Sequence, residues 1–464
     1  MASREYVSRA EFEGSQSLPL SVRYARLPAR AINGRSSLRR YGTNNGTNFD
    51  PVNSNVARIN ITAQGVNSFL DGTHGYLQMK VSCDNKTTNS VSQVDGGIFS
   101  FIQRLRIISL GNGTILEDIN NYNLLHNILF QHQTDPAKLK VSNAISGTAA
   151  NLDLVGTTFN DADLYEVYNP DKGMNFADNT AASDKTFCCP LISGLLSNTT
   201  GKALAIGASS GIQLEITFAP ANDCLKSVAA DDLNYNIKSL HYYAPVFQIT
   251  GGDFSSAMVQ MINAMNGISF TGTTYSNHIG SMAAGTGEKV VDINDTARSL
   301  KSLITVSRLQ TQVSSMVHNG LSHYAPNATT AFNFRIGEDQ YPPSRVQCAI
   351  SAVAANPSYN ANNTANAYQN LQMALGSANN IHAQSLISNR AFNNNGFIMA
   401  IDCEKYMSET GNVSNTGIDT LSGNLNVSLE VDNNVATGVN RVDTFAMKEV
   451  MFYLNPDGNW SVSK

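Results

Sequence analysis

Apolar residues recur at every second position in many short stretches of the chain. Segment 212–218 reads IQLEITF and segment 425–431 reads LNVSLEV, so that one side of each is apolar and the other polar. A period of two is typical of a β-strand with one face buried. Shorter stretches of the same kind lie at 57–61, 77–81 and 332–336. The pattern predicts an all-β protein with few helices.

Two segments share the spacing of a helix instead, and a third helical segment, SSAMVQMINAM, is predicted near 255–265. A tyrosine is followed by leucines three and then seven positions later, once at 122–129 and again at 368–375. Residues three and four apart lie on one face of a helix, so each segment predicts a short helix with one buried face.

The repeated helix indicates that the chain is duplicated. In each half, an alternating segment precedes the helix, and an apolar segment, a second alternating segment and a long strand follow it. The first half is about 35 residues longer between the helix and the second alternating segment, which predicts an inserted loop at 143–187. We therefore expect two tandem eight-stranded jelly rolls, a double jelly roll, at 51–250 and 251–464, with a few short helices in the connections.

Residues 1–50 differ in composition and predict an N-terminal arm. Residues 1–49 contain eight arginines, no lysine and three glutamates, and the segment ends in the turn-rich stretch GTNNGTNFDP. One interpretation is a solvated terminus, and the other is an arm that becomes ordered against a neighbouring subunit or an inner component. For the second interpretation, the candidate inward contacts are Arg23, Arg26, Arg30, Arg35, Arg39 and Arg40.

Composition narrows the function. The 464 residues carry a formal net charge of −5 and only 14% are charged, which excludes a disordered polyelectrolyte and a strongly basic nucleic-acid coat. Fifty-three asparagines and 34 glycines indicate many loops between short strands. The six cysteines lack zinc-site spacing and lie in apolar contexts, so we expect reduced, buried thiols and folding in the cytosol or nucleus. The sequence contains neither a signal-peptide pattern nor an apolar run long enough to span a membrane.

The motifs that suggest catalysis lack the structural context they require. Gly207–Gly211 matches the G-x-S-x-G nucleophile elbow, but a strand follows where that motif needs a helix. The segment before GKALAI has Leu196 where a phosphate loop needs glycine. The eight histidines show no metal-binding spacing, and His126 and His241 are expected to be structural. We expect no cofactor and no metal.

Two acidic groups remain as candidates. Asp402 and Glu404 project from one face of a predicted strand, which is the minimum geometry for an acid and base pair, although an exposed strand face accounts for them as well. The acidic loop at 153–171 lacks the glycine-centred spacing of a calcium loop.

Several segments resemble the major capsid proteins of polinton-like viruses and of virophage-related DNA viruses of protists and algae. They include GGIFSFIQRLRIISLGNG, LEDINNYNLLHNIL, CCPLISGLL, FRIGEDQYPPSRV and DTFAMKEVMFYLNPDG, and they cover most of the chain after the arm. The resemblance implies a double jelly roll without catalytic residues or a small-molecule substrate. It also implies homotrimers whose six barrels form a nearly hexagonal capsomer that tiles an icosahedral shell.

The implied partners are neighbouring capsomers, penton proteins and minor capsid proteins. The arm could contact packaged DNA, an internal membrane or a minor capsid protein. Its widely spaced arginines and three glutamates favour protein contact over a DNA-binding tail. We expect the loops at 143–187 and 344–366 to lie on the outer capsomer face and residues 1–49 to face inward, in a virion capsid.

Two other functions are compatible with a β-rich chain. One is a β-sandwich carbohydrate-binding or host-attachment protein, such as a fibre or spike. The other is a glycoside hydrolase that uses Asp402 and Glu404. A stable trimer favours the capsid protein over both alternatives.

Overall fold

The structure is a computed structural model of the 464-residue chain. It describes residues 34–63, 65, 67–84, 92–133, 145–147, 175–176, 184–197, 203–227, 234–249, 260, 262–324, 326, 329–348, 364–375, 392, 396–405, 416–433 and 438–463.

The first half of the chain contains twelve strands and two helices among these residues. In chain order they are β1 (Gly34–Gly42), β2 (Val56–Ile61), β3 (Ser68–Leu70), β4 (Tyr76–Asp84), β5 (Ser92–Val94), β6 (Ile102–Ser109), β7 (Ile115–Asn120), α1 (Tyr122–Gln133), β8 (Asn175–Phe176), β9 (Lys185–Pro190), β10 (Ile212–Phe218), α2 (Ala221–Cys224), β11 (Leu225–Ser227) and β12 (Asn234–Ile249).

The second half contains nine strands and a helix with defined bounds in the described part of the chain, and residues 262–264 are helical as well. The elements with defined bounds are β13 (Ile268–Met282), β14 (Gly287–Ile293), β15 (Leu300–Leu309), β16 (Thr329–Ile336), β17 (Asp339–Gln347), α3 (Ala365–Leu375), β18 (Met399–Asp402), β19 (Val427–Asn433), β20 (Asn440–Leu454) and β21 (Trp460–Ser463).

Both halves have the same antiparallel connectivity. In the first half the two main sheets have the strand orders β1-β12-β4-β9 and β2-β10-β6-β7, and in the second half β13-β20-β15-β18 and β14-β19-β16-β17. When the eight principal strands of each half are numbered along the chain, the orders are 1-8-3-6 and 2-7-4-5 in both. The predicted tandem jelly rolls are therefore confirmed, and we call them barrel 1 and barrel 2.

Alternation along the strands builds the barrel interiors. On β10, Ile212, Leu214 and Ile216 are fully buried, and on β19 Val427, Leu429 and Val431 are fully buried. These residues belong to one apolar cluster that runs through both barrels. The two helices predicted from the repeated spacing are confirmed as α1 and α3, and each lies between the fifth and sixth principal strands of its barrel.

The predicted arm ends earlier than its composition suggests. Strand β1 pairs with β12 over its whole length, from Gly34 opposite Ile249 to Gly42 opposite His241. Residues 34–50 therefore belong to barrel 1. The sequence concealed this strand because seven of its nine residues are exposed, so it lacks the apolar alternation that marks a half-buried strand.

Candidate functional site: the seam between the barrels

Barrel 1 and barrel 2 meet where β7 of barrel 1 runs beside β13 of barrel 2. We call this junction the seam. Two glycines allow the backbones to approach each other there. A Cβ atom on Gly194 would lie 2.7 Å from the carbonyl oxygen of Thr273, and one on Gly272 would lie 2.8 Å from the Phe452 ring and closer still to the Gly194 carbonyl. Only glycine fits both positions without a shift of the backbone.

A buried carboxylate organises the barrel 1 side of this close approach. The side chain of Glu117, on β7, accepts hydrogen bonds from the backbone N–H groups of Gly194, at 2.7 Å, and Leu195, at 3.1 Å, and from the Ser193 hydroxyl. Burial raises the pKa of Glu117, although these hydrogen bonds oppose the rise. Glu117 thereby fixes the loop that carries Gly194 against barrel 2.

A second cluster joins the start of α1 to β20. The Asn121 side-chain amide donates to the side-chain oxygens of Asn277, at 2.8 Å, and Asp443, at 3.1 Å. Arg308 donates to the other Asp443 oxygen at 2.5 Å and to the Gly320 carbonyl at 2.7 Å. Burial favours the neutral form of Asp443, but Arg308 and Arg441 outweigh it and hold the Asp443 pKa below its usual value.

A third cluster connects the small sheet β11-β5-β8 of barrel 1 with the loop before β16. The Asp95 carboxylate accepts a hydrogen bond from the Leu321 N–H at 2.8 Å and another from the Ser322 hydroxyl. Asn127 donates to the Leu321 carbonyl at 2.6 Å, and Lys226 donates to the Ser315 carbonyl at 2.9 Å. Burial raises the pKa of Asp95, although Lys226 lowers it. The barrels are thus joined by directional polar contacts as well as by apolar packing.

The last described residues reach back to barrel 1. Trp460, on β21, is buried and its ring meets the edge of Phe270 with the centroids 6.1 Å apart. The backbone N–H of Trp460 donates to the Ser109 hydroxyl at 3.2 Å, and its backbone carbonyl accepts from the Asn112 side chain at 3.2 Å. This hairpin of β20 and β21 attaches barrel 2 to the β6–β7 turn.

A small cleft opens in the seam beside Asn121, Asp223, Arg308 and Arg441. Its volume of about 20 Å³ is enough for a single water molecule. Pockets for organic ligands are typically about 300–1,000 Å³, so this cleft does not have the dimensions of a substrate site.

The structure supports the rejection of a nucleophile elbow at Ser209. The Ser209 hydroxyl donates to the Ile206 carbonyl at 3.0 Å, and the chain passes from a short 3-10 turn, Ile206–Ala208, into strand β10. The helix that would stabilise an oxyanion is not at this position.

Asp402 and Glu404 form a packed cluster, which corrects the expectation of an exposed strand face. Glu404 pairs with Lys301 at 3.0 Å and accepts from the Thr416 hydroxyl at 2.8 Å. Asp402 accepts from the Glu404 N–H at 2.9 Å, and burial raises its pKa to about 6. The Glu404 carboxylate therefore has a structural role as an ion-pair partner.

The histidines singled out in the sequence pack against aromatic rings. His126 on α1 is buried and stacks on Phe99 with centroids 4.0 Å apart, and burial lowers its pKa to about 4. His241 on β12 lies near Tyr243, and its pKa is lowered by burial and by Arg40. Among the described residues, no three His, Cys, Asp or Glu side chains come together as a metal site, and the acidic loop at 153–171 lies outside those residues.

Other expectations concern cysteines and membrane spans. All six cysteines are free in the structure; five are buried as expected, whereas Cys188 is half-buried. In the part of the chain that the structure describes, no helix is both long enough and apolar enough to span a bilayer.

The structure places only half of the candidate arm arginines. Arg35, Arg39 and Arg40 lie on β1, where Arg35 and Arg40 are exposed and Arg39 is half-buried. Arg23, Arg26 and Arg30 lie outside the described residues, as do most of the loops at 143–187 and 344–366.

The seam residues were not predicted. Their available signal was a charged residue inside an apolar strand, such as Asp443 in VDTFAM.

No protein-family model and no curated protein matches this sequence. Solved structures do match the fold. A chain in the 3.5 Å cryo-EM structure of the Sputnik virophage aligns with a TM-score of 0.59 at 10% identity, over 96% of this chain and 91% of that chain. PBCV-1 VP54, fitted into a Sputnik reconstruction, aligns with a TM-score of 0.58 at 10% identity, over 95% and 99%. The Faustovirus major capsid protein aligns with a TM-score of 0.57 at 8% identity, over 96% and 94%.

The chain has the double-jelly-roll fold of viral major capsid proteins. The alignments span nearly the full length of both chains, so the similarity covers both barrels. At about 10% identity the alignments show a common fold and assign no role to individual side chains.

Proposed function

We propose that this protein is a structural major capsid protein whose copies form homotrimeric, pseudo-hexameric capsomers of an icosahedral DNA virus shell. The observation that carries the proposal is the repetition of one barrel, with the strand orders 1-8-3-6 and 2-7-4-5, in a single chain. Three such chains present six similar barrels, which suits a tile with nearly hexagonal symmetry. The match over the whole length to the Faustovirus major capsid protein supports the same role.

A structural role is consistent with how the polar groups of the seam are used. The buried carboxylates of Glu117, Asp95 and Asp443 each accept hydrogen bonds that connect loops or barrels. We therefore propose that the protein is not an enzyme and uses neither a cofactor nor a small-molecule substrate. Its place is the virion capsid, after folding in the host cytoplasm or nucleus or in a virus factory.

The wider partners follow from a tile in a shell. Neighbouring capsomers, penton proteins and minor capsid proteins would contact its rim, and the segment before β1 would face inward with Arg23, Arg26 and Arg30. That segment would contact a minor capsid protein in preference to packaged DNA or a membrane. Limited proteolysis of intact particles tests the orientation, because cleavage of this segment with both loops at 143–187 and 344–366 spared would contradict it.

Light scattering and electron microscopy on the purified full chain test the main proposal. We expect a stable species of about 150 kDa, three times the 49.9 kDa chain, and hexagonal outlines that assemble into sheets or shells. A monomer that binds sugars would instead favour the attachment-protein alternative.

A further inference from the structure

The seam shows how one barrel of this fold docks on another. The fifth principal strand of barrel 1, β7, lies beside the first principal strand of barrel 2, β13. Both strands are covered as a result. Asn120 is the single exposed residue of β7, and three of the fifteen residues of β13 are exposed.

The two strands at the equivalent positions lie on the outside of the chain. They are β17, the fifth strand of barrel 2, and β1, the first strand of barrel 1. Each pairs with one neighbouring strand in the described part of the protein, and each ends its sheet. Seven of nine residues in β1 and five of nine in β17 are exposed. Strand β1 is thus equivalent to β13, and β17 is equivalent to β7, but neither has a barrel packed against it among the described residues of the chain.

The two exposed edges have opposite charge. Strand β1 carries Arg35, Arg39 and Arg40 and no acidic residue. Strand β17 starts with Asp339, directly after Glu338, and both of these side chains are exposed. The guanidinium of Arg345, also on β17, is within salt-bridge distance of Glu288 and Asp432 of its own chain. Opposite charges favour docking of β1 onto the start of β17 and disfavour contact of either edge with itself.

The prolines of β17 are compatible with this mode of docking. Pro342 and Pro343 lack N–H groups and would interrupt a continuous hydrogen-bonded ladder along this edge. However, β7 and β13 belong to separate sheets and pack side by side without a ladder. A repeat of that contact needs close packing and matched side chains, and it does not need donors at every residue.

We propose that β1 of one copy docks against β17 of a second copy, so that the contact between molecules repeats the β7–β13 contact within each molecule. This inference rests on the proposed function, because it names the surfaces through which the capsomer forms. The contact is head to tail, and such contacts close into a ring when the rotation divides a full turn. Three chains then give six barrels joined by six similar seams, three within chains and three between them.

Charge reversal and restoration on the full chain test the pairing. One variant carries R35E, R39E and R40E, and a second carries E338R and D339R. We expect each to shift the midpoint of trimer formation to a protein concentration about 10-fold higher or more, as like charges then meet. A mixture of the two variants should not recover fully, whereas one chain carrying all five substitutions should return to the wild-type midpoint.

The control variant is D292R, which reverses an exposed charge on β14, at the opposite edge of the sheet that ends in β17. It should trimerise like the wild type. Far-ultraviolet circular dichroism of every variant checks that the barrels fold, since all of the substituted side chains are exposed or half-buried.

The outcomes separate this inference from the proposed function. If the wild type forms trimers and both reversed variants do so equally well, the edge pairing is wrong and the capsid role stands. If trimer formation is weakened in both variants and is not restored in the chain carrying all five substitutions, these charges do not face each other and the pairing is again wrong. A wild type that stays monomeric would overturn both proposals. Protection, in isolated monomers, of those β1 amides that do not hydrogen-bond to β12 would place another part of the same chain on this edge and overturn the pairing.

Discussion

Gly272 and Gly194 show how single residues set the distance between the barrels. With no side chain on either residue, the backbones of barrel 1 and barrel 2 come into direct contact at the seam. Any larger residue must displace either a carbonyl group or the Phe452 ring, and both are held in buried structure.

The substitution Gly272→Ala should therefore destabilise the protein. We expect a loss of about 1–3 kcal/mol in the free energy of unfolding, as for overpacked cores, measured by denaturant titration. Gly438→Ala is the matched control, because its Cβ would lie 3.5 Å from a methyl group of Leu309, an ordinary contact. The control should stay within about 0.5 kcal/mol of the wild type. Equal losses of unfolding free energy in the two variants would show that the seam has room for a methyl group at position 272.

Asp402 makes stability depend on pH. Its pKa is raised from the ordinary 3.8 to about 6, mainly by burial and also by the nearby Glu404 carboxylate, against the Glu404 N–H and the Lys301 ammonium, which lower it. Because the native-state pKa lies above the unfolded value, protonation of Asp402 stabilises the folded state relative to the unfolded state. This stabilisation is complete below pH 3.8 and is lost as the pH rises through about 6.

Asp402→Asn should remove that dependence, because the amide keeps an oxygen for the Glu404 N–H and does not ionise. Thermal unfolding of both proteins across this pH range should show the wild type losing stability relative to the variant as the pH rises. Parallel curves would mean that Asp402 is not the group responsible.

Among the elements, the hairpin of β20 and β21 has a role that its position in the chain does not reveal. It completes barrel 2 by pairing and at the same time contacts the β6–β7 turn of barrel 1 through the backbone of Trp460. The segment therefore couples the end of the second barrel to the middle of the first.

Trp460→Ala should cost about 3–5 kcal/mol of unfolding free energy, the usual range for a buried tryptophan. Hydrogen exchange should also become faster at the β6–β7 turn, in barrel 1, because loss of the ring's packing on Phe270 loosens the β21 backbone that bonds to Ser109 and Asn112. Val462→Ala, in the same strand but half-buried, should cause smaller changes in both measurements. Faster exchange confined to barrel 2 would contradict the proposed coupling.

The strands also show where alternation is a reliable guide. It identified β10 and β19 because each has one buried and one polar face. It missed β1 because that strand lies at a sheet edge with both faces largely exposed. Charged side chains are common on exposed edge strands, so the composition that suggested an arm also fits an edge strand of a sheet.

For the whole molecule, the seam makes two repeated barrels into one asymmetric unit of assembly. Buried carboxylates accept hydrogen bonds across it, Asp443 of barrel 2 from Asn121 of barrel 1 and Asp95 of barrel 1 from the Leu321 N–H of barrel 2. Leaving a buried polar group of this kind without its partner is costly. The seam therefore favours one relative orientation of the barrels. A fixed orientation is what a head-to-tail ring of identical chains requires, since any change in the angle would prevent closure.

Periodicity and internal repetition were sufficient to predict the all-β class, the two helices, the duplication and the double jelly roll. These features depend on local spacing and on the order of segments, and both can be read from the sequence. The seam, the edge position of β1 and the burial of Asp402 required the tertiary structure, because they arise when residues far apart in the chain meet. Glu117 and Gly272 have no common signal in the sequence, and only the packing of one barrel against the other gives them a shared role.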